Sequence, residues 1–262
     1  MSYNVNVRDR RGKYGLDEPW AVGGLVLGAV LLFALAGISF VNDIPAVAVA
    51  FLFGALYTLA SAASHLYTTR RGKFAVWDEA LRELTGEEKV LDLGSGRGAV
   101  LLLAAKRLSH GIETGHGTAT GHGTATGHGT ATGLDLWRPK GRASEAATRA
   151  NADAEGVSDL VELTRGDMRE LPFEDELYDV VVAGPAVHHI SDAEGRAGAI
   201  REAHRVLRPG GLLLIADHEH VPAYETVLRG LGVVDVQRRD LGWRYWHGGP
   251  WAKTWMLRAR KP

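Results

Sequence analysis

Residues 20–41 form a stretch of 22 residues without a charged side chain, and residues 45–66 form a second of the same length. At 1.5 Å of rise per residue each would extend about 33 Å as a helix, enough to cross the hydrocarbon core of a bilayer. Asn42, Asp43 and Pro45 leave room between them only for a tight polar turn, so the two runs are expected to form an antiparallel helical hairpin. Arg8, Arg10, Arg11 and Lys13 precede the first run and Arg70, Arg71 and Lys73 follow the second, whereas the turn carries only Asp43. By the positive-inside bias both ends then lie in the cytoplasm, with Trp20 and Tyr67 at the interfaces. A buried helical pair in a soluble protein and a cleaved signal peptide are the competing readings. Two uncharged runs of spanning length are rare in soluble domains, and a signal core is shorter and stands alone.

Outside these runs the chain is polar and mixed. Its 30 basic and 31 acidic residues give a net charge of −1, so no overall field draws it toward nucleic acid. It has no cysteine, which removes disulfides, thiolate nucleophiles and cysteine-ligated zinc. The sequence therefore divides into a cytosolic tail (1–19), a two-helix transmembrane anchor (20–66), a basic linker with an amphipathic helix (67–86) and a catalytic domain (87–262). In the linker, Phe74, Val76, Trp77, Leu81 and Leu84 recur at helical spacing.

From residue 89 onward, strand-like apolar runs (89–93, 132–136, 160–164, 178–183, 211–217) alternate with helical stretches (98–108, 144–151, 196–207). Such alternation predicts an α/β fold, a doubly wound, mostly parallel sheet. Residues 115–132 interrupt it with three copies of Gly-His-Gly-Thr-Ala-Thr, expected to be an expanded loop. His116, His122 and His128 follow the period of the repeat rather than a ligand geometry, and no metal site is expected there.

The segment Val90-Leu91-Asp92-Leu93-Gly94-Ser95-Gly96-Arg97-Gly98 is an apolar strand running into a glycine-rich turn before a helix. Such a turn suits close backbone approach to a ligand and also fits a dinucleotide site. Asp92 favours a different ligand, because a carboxylate at the strand end sits badly against a pyrophosphate and well against a cationic amino group. With it the sequence resembles the class I S-adenosylmethionine-dependent methyltransferases, over roughly residues 74–262. The resemblance implies a seven-stranded Rossmann-like methyltransferase fold, S-adenosyl-L-methionine as cofactor, and Asp92, Gly94, Ser95, Gly96 and Gly98 as its first binding motif. It further implies that Asp135, followed by Leu136, ends the second strand and takes the ribose hydroxyls. Asp135 lies 37 residues beyond Gly98, which falls to 19 when the 18-residue repeat is discounted. Asp167 and Met168 resemble the turn that meets the adenine, Gly184 the loop after the fourth strand, and 207–211 the turn before the fifth.

Methyl transfer from a sulfonium mainly requires alignment and exclusion of water. Should the acceptor need a base, His188 is the first candidate, since it follows the fourth strand. Packing, or capping of the helix after Ser191-Asp192, explains the His188-His189 pair equally well. His218 and His220 are second candidates. Strands are expected around 233–236 and 254–257. Trp243, Tyr245, Trp246 and Trp251 between them suit a cover on the sheet, with an acceptor pocket or a headgroup-facing surface as the alternatives. The tether suggests a small, lipophilic, membrane-derived acceptor and the lipid bilayer as partner. A nicotinamide-dependent oxidoreductase and a non-catalytic membrane-tethered S-adenosylmethionine-binding protein remain the other readings.

Overall fold

The computed structural model describes residues 10–113, 129–137 and 143–262. They fall into two compact units. One comprises Gly15–Lys73 and Leu241–Thr254; the other holds Phe74–Asp240, Trp255–Pro262 and the N-terminal segment through Tyr14.

The first unit is built on the expected hairpin, α1 (Pro19–Val41) and α2 (Pro45–Tyr67). Each helix starts on a proline, whose fixed φ suits the first turn and whose missing N–H is no loss there. Asp43 in the left-handed region (φ 56°) reverses the chain, and the Asn42 N–H donates to the Ile38 carbonyl. Most of the large apolar side chains point outward: Leu27, Val30, Phe40 and Phe53 are all more than half exposed. In a soluble core such residues would be among the most buried. The expected linker is helical: a π-helical turn, Thr68–Gly72, follows α2 and α3 (Lys73–Ala80) follows the turn.

The aromatic segment 241–254 belongs to this unit. Trp243 stacks on Tyr67 and Trp251 on Tyr57, both with ring centroids 5.1 Å apart. The Thr68 hydroxyl donates to the Trp246 carbonyl at 2.6 Å, and a Cβ on Gly72 would overlap the Arg244 carbonyl. The tryptophans thus stack on the hairpin, and Gly72 in the turn after α2 lets the loop backbone approach.

The second unit is a seven-stranded sheet of order β3-β2-β1-β4-β5-β7-β6. Its strands are β1 (Lys89–Leu93), β2 (Thr130–Asp135), β3 (Val161–Arg165), β4 (Tyr178–Ala183), β5 (Leu207–Asp217), β6 (Val236–Asp240) and β7 (Trp255–Arg260). β1 to β5 are parallel, and β7 runs antiparallel to both β5 and β6. Helices α4 (Ala99–Glu113), α5 (Glu145–Glu155), α6 (Ala193–Val206) and α7 (Val221–Gly230) connect them. α5 and α6 begin where Ser144 and Asp192 accept the backbone N–H three residues on. Leu91, Leu93, Val181, Val182, Leu213 and Ile215 are essentially inaccessible, each contributing roughly 1.5–3 kcal/mol by burial.

Three boundaries differ from expectation. The last Thr-Ala-Thr of the repeat is strand: Thr130, Ala131 and Thr132 pair with Lys89, Val90 and Leu91, and Ala131 and Thr132 are buried. Alternating β-branched residues serve a buried central strand well, which outweighs the flanking glycines. His116, His122 and His128 lie outside the described residues. β6 starts at Val236 rather than 233, because Val233 buries itself in the core behind α7. The expected 207–211 turn is a bulge inside β5, where the register jumps from Tyr178↔Leu207 to Val180↔Leu212.

Candidate active site

The strand order reverses at β1, with β2 on one side and β4 on the other, so the carboxyl ends of β1 and β4 flank a topological switch point. Ligands bind at such crevices in open parallel sheets. The glycine turn sits there. Gly94, Gly96 and Gly98 have φ of 73°, 57° and 84°, in the left-handed region where a side chain would strain the backbone. A Cβ on Gly94 would also come within 2.5 Å of the Ala186 Cβ in the loop after β4. The Gly94 and Ser95 N–H groups both donate to the Leu134 carbonyl, tying the turn to β2.

Asp92 is buried at the end of β1. One oxygen, Oδ2, accepts from the Leu101 N–H in the first turn of α4 at 2.9 Å; the other, Oδ1, is buried without a hydrogen-bond partner. Burial pushes its pKa up to about 7; the Asp135 charge adds to this, and the Leu101 N–H opposes it. The Ser95 Oγ is likewise buried and unpartnered. Orphaned polar atoms of this kind cost free energy unless a ligand satisfies them. A buried carboxylate oxygen, a hydroxyl and a glycine turn fit the amino-acid end of S-adenosylmethionine.

Asp135 spans the turn, accepting from the Gly96 N–H through Oδ2 and from the Trp137 N–H through Oδ1, both at 2.9 Å. Its half-buried carboxylate keeps lone pairs for two hydroxyls. The Leu136 side chain is exposed, and its carbonyl, with that of Trp137, is braced by the Arg165 guanidinium. Asp167 is engaged by Arg169, whose N–H and guanidinium donate to both its oxygens, so an adenine amino group would have to share it. Met168 is half-buried, its methyl 3.3 Å from where a Gly94 Cβ would stand. Gly184 follows β4 with only Val100 near its Cβ position, at 3.7 Å.

Four further residues pin the turn or His188. The Trp137 indole and the Thr148 hydroxyl both donate to the Gly96 carbonyl, at 2.9 and 2.8 Å. The Asn151 amide donates to the Arg97 carbonyl at 2.9 Å. The fourth is Asp217, fully buried at the end of β5. Its Oδ1 lies 2.7 Å from His188 Nδ1, and its oxygens also accept from the His188 and His218 N–H groups and the Tyr224 hydroxyl. Burial, and then the Asp217 charge, raise the Tyr224 pKa, so that hydroxyl stays protonated.

His188 therefore belongs to a dyad, in a 3-10 turn at Val187–His189, with only a tenth of its side chain exposed. His189 and His218 have ring centroids 4.0 and 4.3 Å from it, whereas His220 caps α7 and faces Glu219. One ring nitrogen from each of His188 and His218 and a carboxylate oxygen of Asp217 all lie within 4.8 Å of one another, a set that could also ligate a divalent ion. Four hydrogen bonds already saturate the Asp217 carboxylate, which favours an oriented base.

The family model described as "Methyltransferase domain" matches residues 110–215. The chain is 26% identical over 154 residues to a ubiquinone/menaquinone biosynthesis C-methyltransferase of Ruegeria sp., covering 58% of this chain and 52% of that protein. It is 42% identical over 82 residues to a 27-O-demethylrifamycin SV methyltransferase of Amycolatopsis mediterranei, covering 31% and 27%. The chain thus spans about half the length, or less, of these curated relatives. Among solved structures, the [4+2]-cyclase SpnF superposes with a TM-score of 0.54 at 20% identity, covering 74% of this chain and 83% of that one. The sheet-bearing unit has the Rossmann-like methyltransferase fold.

Proposed function

We propose that this chain is an S-adenosylmethionine-dependent methyltransferase, held at a membrane by α1 and α2 with its catalytic unit on the cytoplasmic side, that methylates a small lipophilic acceptor. The observation that carries the reading is the pair of unsatisfied buried atoms, Asp92 Oδ1 and Ser95 Oγ, beside a three-glycine turn at the switch point. The methyltransferase relatives and the match over residues 110–215 support it. The outward-facing apolar side chains of the hairpin, flanked by Arg70 and Arg71, support the tether.

When bound, S-adenosylmethionine supplies a methyl group on a good leaving group. The residues of this chain bind, orient and move a proton. Asp92 and Ser95 hold the polar amino-acid end, Asp135 takes the ribose hydroxyls, and Asp167, Met168 and Gly184 border the remainder. Trp137, Thr148 and Asn151 keep the glycine turn rigid, so alignment costs little at the moment of reaction. His188 takes the proton from an acidic acceptor through its Nε2, while Asp217 fixes the Nδ1–H tautomer and stabilises the imidazolium that forms. The lipophilic acceptor follows from the tether, since a substrate drawn from the bilayer arrives where the enzyme is held.

The test is calorimetric titration of the full chain in detergent with S-adenosylhomocysteine, followed by transfer of labelled methyl to a lipid extract. Micromolar binding weakened by both Asp92→Ala and Asp135→Ala, with label in the organic phase, is expected. Absence of binding to folded protein sinks the methyltransferase reading; binding without transfer to any acceptor leaves only a cofactor-binding protein. Label found only in water-soluble products removes the lipophilic acceptor.

A further inference from the structure

The segment 241–254 runs along α2 rather than across its end. Trp243 stacks on Tyr67 and Trp251 on Tyr57, ten residues earlier, so the loop descends about 15 Å along the helix. Around it the outward residues of α1 and α2, such as Leu27, Val30 and Phe53, are apolar and exposed. The Tyr57–Trp251 pair thus marks the boundary of the loop's reach along α2.

A cavity of about 350 Å³ opens at that boundary, within the size range of small-ligand sites. Leu25, Tyr57 and Trp251 give it an apolar wall; Thr58, Ser61 and His247 give it a polar one. None of its lining residues is Lys, Arg, Asp or Glu, so no permanently charged side chain there meets a phosphate or a carboxylate. The Thr58 hydroxyl donates to the Gly54 carbonyl at 2.8 Å and the Ser61 hydroxyl to the Tyr57 carbonyl at 3.1 Å. With their protons committed, these oxygens present lone pairs and act as acceptors. Irregular backbone at membrane depth persists only where it is packed in protein or lines a cavity, and the loop around Gly248 does so here.

We infer that this cavity binds an uncharged, hydroxyl-bearing membrane amphiphile. The hydrocarbon chain lies against Leu25, Tyr57 and Trp251, and the hydroxyl donates to Ser61 or Thr58. The inference rests on the membrane reading of the hairpin and is independent of methyl transfer.

The experiment uses the full chain in phosphatidylcholine nanodiscs, with a diazirine-bearing long-chain alcohol and its methyl ether as photoprobes. Cross-links are mapped by mass spectrometry. The alcohol should label the 57–61 or 247–251 peptides at least about fivefold more than the ether, the loss expected for one hydrogen bond. Ser61→Ala combined with Thr58→Val should bring the alcohol down to the level of the ether. Equal labelling by both probes, or labelling confined to the exposed faces around Leu52 and Phe53, overturns the site while leaving the membrane reading intact. A chain that does not enter nanodiscs at all overturns both.

Discussion

Asp217 Oδ1 stands 2.7 Å from His188 Nδ1, although the two residues are 29 positions apart and lie on the loops after different strands. The contact fixes which ring nitrogen carries the proton and leaves Nε2 to act as the base in the proposed reaction. His188→Gln should lower kcat by about 100- to 10,000-fold while S-adenosylhomocysteine binds as in wild type. Asp217→Asn should cost a similar order, because an amide cannot compensate the imidazolium charge. Steady-state kinetics on the purified acceptor checks both. EDTA should leave the rate unchanged; loss of activity that zinc or manganese restores would identify the same cluster as a metal centre instead.

The Asp92 carboxyl, raised by burial to about 7, predicts a pH-dependent cofactor affinity. Its folded pKa lies above the ordinary value of about 3.9, so the stability attached to it is fully present below that value and is lost as pH rises through about 7. A cationic amino group reverses the preference by favouring the ionised carboxylate. Affinity for S-adenosylhomocysteine should therefore rise between about pH 6 and about pH 8, with proton release on binding. Asp92→Asn should bind more weakly and show neither dependence, as titration calorimetry in buffers of different ionisation enthalpy would reveal.

The hairpin, the alternating α/β order and the glycine turn were legible because each is written locally: uncharged runs, apolar strands, glycines beside an acid. Trp137, Thr148 and Asn151 were not, since their bonds to the glycine turn join residues 41 to 54 positions apart. Asp217 was overlooked beside His218 and His220, although a carboxylate ending a central strand is a signal of the same kind as Asp92. The start of β2 was masked by its identity with two upstream repeat copies. Its pairing with β1 is what makes Thr130–Thr132 strand.

Gly133 lies in β2 beneath α4, where a Cβ would stand 2.6 Å from Leu101 Cδ2 and 2.9 Å from Ser95 Oγ. Leu101 is fully buried and has little room to turn away. Gly133→Ala should destabilise the catalytic unit by about 1–3 kcal/mol through overpacking. It should also weaken cofactor binding by displacing Ser95. Thermal unfolding with and without S-adenosylhomocysteine separates the two effects, since a purely structural cost would leave the ligand-induced shift in Tm unaltered.

The segment before the helical hairpin is fastened to the sheet-bearing unit rather than loose. Glu155 Oε1 accepts from the Arg11 and Gly12 N–H groups at 3.1 and 2.9 Å and from the Tyr14 hydroxyl at 3.0 Å, while Oε2 pairs with Lys106. Burial alone would raise the Glu155 pKa, but Lys106 and these donors hold it below the usual carboxylate value. Next to it, Asn151 accepts from the Lys13 N–H at 2.6 Å and donates to the Arg97 carbonyl in the glycine turn. Glu155→Gln should loosen the segment, speeding tryptic cleavage at Arg10, Arg11 and Lys13 by about tenfold, the effect of roughly 1.4 kcal/mol in local opening. Because Asn151 links the segment to the turn, the same variant should weaken S-adenosylhomocysteine binding a few-fold, and bound ligand should in turn slow the cleavage. Faster cleavage with unchanged affinity would mean that the strap is anchored to the domain without reaching its site.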